Sequence, residues 1–268
     1  MLKQKLISIN SLSELKEKES TTFVKTLPQD YILKKAVFKP LVKLKNVCVS
    51  YKERPIVNNI CWVINPGEFW QLIGPNGSGK STLLSLISGD NPKAYLQDIT
   101  LFGMKKGSGE SIWDIKKYIG FFSSEVTRSF RRFVTIENMI ISGFLDSIGL
   151  YKKPSDRQII IAHQWLKLLN MFNIKDKSFQ FLSEGHKRLV LIARAMVKQP
   201  PLLILDEPTN GLDDLDTKIF TELINKIAFE SSTAILYVSH RAETAIKANY
   251  IYELLPNKNG STGVAYKN

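Results

Sequence analysis

The chain has 268 residues, 44% of them hydrophobic and 23% charged, with a formal net charge of +12. That is enough for one large domain, alone or with a subdomain, around a core that sustains itself. Two cysteines exclude a disulfide scaffold, no apolar run is long enough to cross a bilayer, and the basic residues are spread as on a solvated lysine-rich surface.

Residues 1–40 differ from the rest. Leu2, Leu6, Ile9, Leu12 and Leu15 can line one face of a short helix, and Pro28 and Pro40 punctuate the polar run that follows. This is the pattern of an arm or linker. From Leu41, LVKLKNVCVSY alternates as a strand, PIVNNICWVI forms a second, and Asn65-Pro66-Gly67 turns the chain. Cys48 and Cys61 fall in these runs without metal-ligand spacing, and they are expected to be small buried thiols in a reducing compartment. EFWQLIG is then a short apolar strand entering a glycine-rich loop. Residues 125–180 are mostly helical in pattern, most clearly IENMIISGFLDSIGL and QIIIAHQWLKLLNMF. FLSEGHKRLV opens another helix, whose apolar Leu189, Ile192, Ala193, Met196 and Val197 share a face. Strand signals return in LLILDEP and TAILYVSH. This order predicts a parallel α/β core interrupted by a helical subdomain.

The loop Gly74-Pro75-Asn76-Gly77-Ser78-Gly79-Lys80-Ser81-Thr82 fits G-x-x-x-x-G-K-[ST], with a strand before it and STLLSLIS as a helix after it. Glycines let the backbone curl until several N–H groups point inward, and the helix N-terminus completes an anion cradle. Lys80 can reach the β- and γ-phosphates of a nucleotide, and Ser81 can offer its hydroxyl to Mg²⁺. Gly107-Ser108-Gly109-Glu110 is also glycine-rich, but no Lys-Ser/Thr follows it, so it reads as a turn. LLILDEP ends a buried strand in two acids. Asp206 then suits the Mg²⁺ shell, and Glu207 can orient or deprotonate a water beside the γ-phosphate. His240 ends TAILYVSH. A lone histidine is usually structural, but one strand beyond Asp206 and Glu207 it is placed to sense the γ-phosphate.

Together these residues resemble the nucleotide-binding domain of ATP-binding cassette (ABC) proteins over residues 41–256. LSEG, Leu182 to Gly185, is similar to the family signature, and GLDD, Gly211 to Asp214, to its D-loop. The resemblance implies a parallel-sheet core of the phosphate-loop NTPase kind, an antiparallel β subdomain and an inserted helical subdomain near 125–190. Residues 257–268 are left as a tail. It further implies Mg-ATP hydrolysis between two cassettes, with Tyr51 stacked on adenine. Ser183, Glu184 and Gly185 of one copy would close over ATP held by the other, and Asp213 would lie at the contact. Ser124 stands where the family has a glutamine, with Glu125 as a candidate substitute, and His186 replaces the final signature glutamine.

A narrower resemblance, carried by SGDNPKAYLQDITLFG, KKGSGESIWDIKKYIGFFSSE and GFLDSIGLYKKPSDRQ, is to the second cassette of molybdenum-transport-associated, photorepair-type ABC ATPases of the ModF type. Serine in the glutamine position is shared there. The first 40 residues then resemble the linker following a first cassette, and the chain is expected to be a single-cassette relative that needs an identical or separate partner. Two alternatives stay open. One is the ATPase subunit of a conventional transporter, bound to a membrane permease. The other is a regulator acting on nucleic acid or ribosome, suggested by the net charge and by Arg128, Arg131 and Arg132, although three loop arginines more often form a solvated face. The expected location is cytoplasmic, including the inner face of the membrane.

Overall fold

The structure, a computed structural model, describes residues 23, 25–28, 38–123, 134–145 and 152–268. Two sheets organise it. The first is antiparallel, in the order β2-β1-β4-β5: β1 Val42–Tyr51, β2 Arg54–Ile64, β4 Asp98–Leu101 and β5 Met104–Lys105. The second runs β10-β9-β3-β8-β7-β6: β3 Phe69–Ile73, β6 Ile119–Ser123, β7 Leu202–Asp206, β8 Ala234–Val238, β9 Tyr250–Leu255 and β10 Thr262–Lys267. From β9 to β6 its neighbours are all parallel. The α/β class and its antiparallel companion sheet are those the sequence predicts.

Burial explains the difference between the sheets. FWQLI and AILYV are buried at every position because both faces of the parallel sheet are covered. In β1 buried and exposed residues alternate, broken by bulges, because one face meets the core and the other meets water. That alternation corrects the reading of the cysteines. Val47, Val49 and Ile60 point inward, so Cys48 and Cys61 fall on the outer face and are exposed.

Six α-helices are assigned among the described residues: α1 Lys80–Ile87, α2 Ile112–Lys116, α3 Ile136–Ile141, α4 Asp156–Leu168, α5 Glu184–Met196 and α6 Asp214–Glu230. Each of α2 and α4 starts with a capping box, at Ser111 and Ser155. The stripe Leu189, Ile192, Ala193, Met196 and Val197 is buried with Ile140 and Trp165 in the core on the helical side of the sheet. Among the described residues no helix is long and apolar enough to cross a membrane.

The two chain ends are more engaged than sequence suggests. Residues 257–268, read as a tail, contain β10, which pairs antiparallel with all of β9 and satisfies that edge. Ser261 is laced to β2, donating its N–H to Ile56 O at 2.8 Å and accepting from Asn58 N at 2.8 Å. In the arm, Phe23 joins the helical-side core, Leu27 N donates to Glu230 Oε2 at 3.1 Å and Pro28 O accepts from Gln199 Nε2 at 3.1 Å. Leu2 to Leu15 lie outside the described residues.

Register brings the chemistry to one edge. Asp206 pairs with both Val238 and Ser123, and Leu72 pairs with Val238. The segments leaving β3, β7 and β8 therefore emerge side by side at the C-terminal ends of parallel strands, where such sheets hold ligands.

Candidate functional site

The phosphate loop leaves β3 at Gly74 and enters α1 at Lys80. Gly77 and Gly79 have φ of 78° and 98°, in the left-handed region. A Cβ on Gly79 would also lie 2.7 Å from Val57 Cγ1, so a side chain is excluded there twice over. Ser78 Oγ is buried and makes no hydrogen bond, an unusual state for a hydroxyl. Lys80 is buried, and its Nζ donates to Gly74 O at 2.6 Å and Pro75 O at 3.1 Å. Burial lowers the Lys80 pKa, against the opposing pull of the Glu207 and Asp206 carboxylates.

Lys80, His240 and Glu207 form one chain of contacts. Lys80 Nζ lies 3.5 Å from His240 Nδ1, and His240 Nε2 lies 3.0 Å from Glu207 Oε1. A charged ammonium only donates, so Nδ1 accepts and Nε2 carries the proton given to Glu207. Glu207 has φ of 47°, an uncommon conformation for a residue with a side chain, and its N–H donates to Val238 O at 3.0 Å. That turn takes the chain out of the strand immediately after Asp206. A cavity of about 150 Å³ opens beside Glu207, Asn210 and His240. It has room for a phosphoryl group and a water, less than a whole nucleotide needs.

Two supporting networks were not read from sequence. Gln71 of β3 donates through Nε2 to Glu243 O at 3.1 Å and accepts from Glu243 N at 2.9 Å. The Glu243 carboxylate accepts from Tyr237 at 2.8 Å and Thr209 at 3.2 Å. Burial, and then the nearby Glu243 charge, push the Tyr237 pKa up, so the phenol remains a donor. This network ties the segments following β7 and β8 to the strand that carries the phosphate loop. The available signal was a lone Gln or Tyr inside an otherwise apolar buried strand. In the second network, buried Arg188 of α5 donates to Pro208 O and, at 2.5 Å, to Asn210 O. It braces the segment behind Glu207 from the helix that begins at the signature.

The signature residues sit at the start of that helix. Ser183 caps α5, its Oγ accepting from His186 N at 3.3 Å and lying 2.7 Å from His186 Nδ1. Gly185 leaves no space for a side chain because the Asp216 carboxylate of α6 packs against it. Asp213 caps α6, accepting from Asp216 N at 2.8 Å. These hydrogen bonds stay within the signature and D-loop region. Contacts thus join Gly74, Pro75, Lys80, His240 and Glu207, while those of Ser183 and Gly185 run to His186 and Asp216. Tyr51 ends β1 and is 44% exposed. Ser124, Glu125, Arg128, Arg131 and Arg132 lie outside the described residues.

The family model described as ABC transporter matches residues 57–210. The chain belongs to the ATP-binding cassette family. The cassette is 51% identical to the ABC transporter ATP-binding protein ModF of Escherichia coli over 77% of its own length but 42% of ModF, so the match spans less than half of that relative. It is 35% identical to the zinc uptake system ATP-binding protein ZurA of Listeria monocytogenes, over 75% of this chain and 77% of ZurA. Among solved structures it is similar to a dimeric ATP-binding cassette in a post-hydrolysis state with ADP and Pi. That match has a TM-score of 0.66 and 26% identity and covers 84% of this chain and 98% of that one. The chain is accordingly a cassette of the ATP-binding kind.

Proposed function

We propose that the cassette binds and hydrolyses ATP with magnesium in a site shared by two cassettes. One observation carries this reading: Lys80, His240 and Glu207 are in mutual contact, whereas the hydrogen bonds at Ser183 stay on its own helix. A helix N-terminus favours negative charge, so Ser183, Glu184 and Gly185 suit the γ-phosphate of a nucleotide held by another cassette. In this reading Gly74 to Thr82 hold the triphosphate, Tyr51 stacks on the base, and Asp213 lies at the contact. Residues 41–256 are the cassette proper, with its helical subdomain near 125–190, and Ser124 occupies the glutamine position.

The residues suit magnesium. Ser81 offers a hydroxyl and Asp206 a carboxylate, and among the described residues no group of three or more His, Cys, Asp or Glu could hold a metal alone. Such a pair fits an ion that keeps waters and takes ligand phosphate oxygens. Bound there, magnesium would neutralise charge on the β- and γ-phosphates. Glu207 would accept the proton of the attacking water, and His240 would hold the terminal phosphate through the nitrogen that now contacts either Lys80 or Glu207. Sedimentation of Glu207→Gln with and without Mg-ATP tests the shared site: a dimer is expected with nucleotide, and a strictly monomeric profile at saturating ATP refutes pairing of identical cassettes.

The identity with ModF supports a ModF-like role in the cytoplasm, associated with molybdate or another oxyanion. A second reading, the ATPase subunit of a conventional importer, is favoured by ZurA, whose length this cassette covers far more fully. Copurification with a membrane permease would select the second reading, and recovery of a pure cassette dimer the first.

A further inference from the structure

Asn91 follows α1 and belongs to none of the family motifs. It is 3% exposed, and its side chain is fully committed. Oδ1 accepts from Lys93 N at 3.0 Å, which fixes the amide orientation. Nδ2 then donates to Tyr51 OH at 2.8 Å and to Ser85 Oγ at 2.9 Å. The Asn91 N–H also donates to Ser85 O at 3.0 Å. Ser85 lies on α1, the helix that begins with Lys80 and Ser81.

We infer that Asn91 is a positioning residue for the nucleotide base: it clamps the half-exposed Tyr51 ring to the helix that carries the phosphate-binding lysine. The inference rests on the proposed stacking of Tyr51 on adenine. Tyr51 pairs through its backbone with Arg54 at the end of β1 beside the β1–β2 turn, in a sheet distinct from the one bearing the phosphate loop. An aromatic side chain held at one end swings about two torsions, and ordering it on binding costs free energy. Bonding the hydroxyl at the far end removes that freedom before ligand arrives. The residue stays 44% exposed with that bond made, and stacking needs only one ring face. The distance between the base-stacking surface and the triphosphate cradle is then set by Tyr51–Asn91–Ser85, a span of two side-chain hydrogen bonds, and not by the packing of one sheet on the other.

The test compares ATP with inorganic tripolyphosphate, which uses the cradle and has no base. Binding to Tyr51→Phe, Asn91→Leu, the double variant and Tyr51→Ala is measured with magnesium. Removing one neutral hydrogen bond should weaken ATP about fivefold in each of the first two. Tripolyphosphate affinity should be unchanged, and the double variant should be no weaker than the weaker single one, because the same Tyr51–Asn91 bond is lost in both. If Tyr51→Ala weakens ATP while Tyr51→Phe and Asn91→Leu bind it as wild type does, the clamp is refuted and base stacking stands. Equal weakening of ATP and tripolyphosphate by Asn91→Leu also refutes the clamp, since Asn91 would then support the helix alone. ATP affinity unaltered in Tyr51→Ala refutes the stacking on which the inference rests.

Discussion

The loops at 74–82 and 107–110 are built alike and used differently. Both turn through glycines of positive φ, and both set a buried lysine beside the turn. In the second loop the anion belongs to the chain. Glu110 accepts from Gly107 N at 3.0 Å, Ser108 N at 2.9 Å and Lys106 Nζ at 3.1 Å. Burial pushes this carboxyl up, yet the amides and the Lys106 ammonium outweigh it and hold its pKa at about 2. In the first loop the lysine rests on the loop's own carbonyls, and Ser78 Oγ has no partner. A curled glycine loop with a lysine is thus an anion cradle in either place. What separates a staple from a binding site is whether the sequence supplies the anion three residues later.

Substitutions around the first loop should cost turnover, and one in the second should cost stability. Lys80→Ala should abolish ATP turnover, by about a thousandfold or more, with the fold retained by circular dichroism. Ser183→Arg should lower turnover by about a hundredfold or more while the monomer still binds ATP in calorimetry, because its defect lies in the partner's site. Normal turnover in that variant would mean that one chain completes its own centre. His240→Ala should lose about a hundredfold in kcat with little change in ATP affinity.

Glu110→Gln should instead leave kcat and KM near wild type and lower stability by about 3 kcal/mol, since the neutral amide leaves the buried Lys106 ammonium without its counter-charge. Thermal unfolding reads this out. The sign with pH follows from the depressed pKa: the stabilisation is fully present above the ordinary value of 4.5 and is lost as pH falls toward about 2. The stability gap between wild type and Glu110→Gln should therefore be constant above pH 5, narrow on acidification and close near pH 2.

Local signals carried most of the catalytic half. Gly74 to Thr82 and the pair Asp206-Glu207 are contiguous, and their backbone needs are set by neighbours in sequence, so their places between strand and helix and at a strand end were legible there. The alternation of β1 was equally plain, but not the direction of its faces. Cys48 and Cys61 lie in an apolar run, and only the bulged register turns them outward. β10 was unreadable because TGVAYK has little burial of its own and becomes a strand by pairing with β9.

The sequence by itself determined the phosphate loop, the acidic strand end and the amphipathic stripe of α5, because glycine freedom, carboxylate chemistry and helical period act over a few residues. Only the tertiary structure decided that His240 spans Lys80 and Glu207, that Arg188 braces the segment behind Glu207, and that Asn91 holds Tyr51. Those contacts join residues 20 to 160 positions apart. The contacts of His240 and Arg188 exist because parallel strands in one register end at one edge, and that of Asn91 because the antiparallel sheet packs against α1, consequences of packing that no single stretch of the chain encodes.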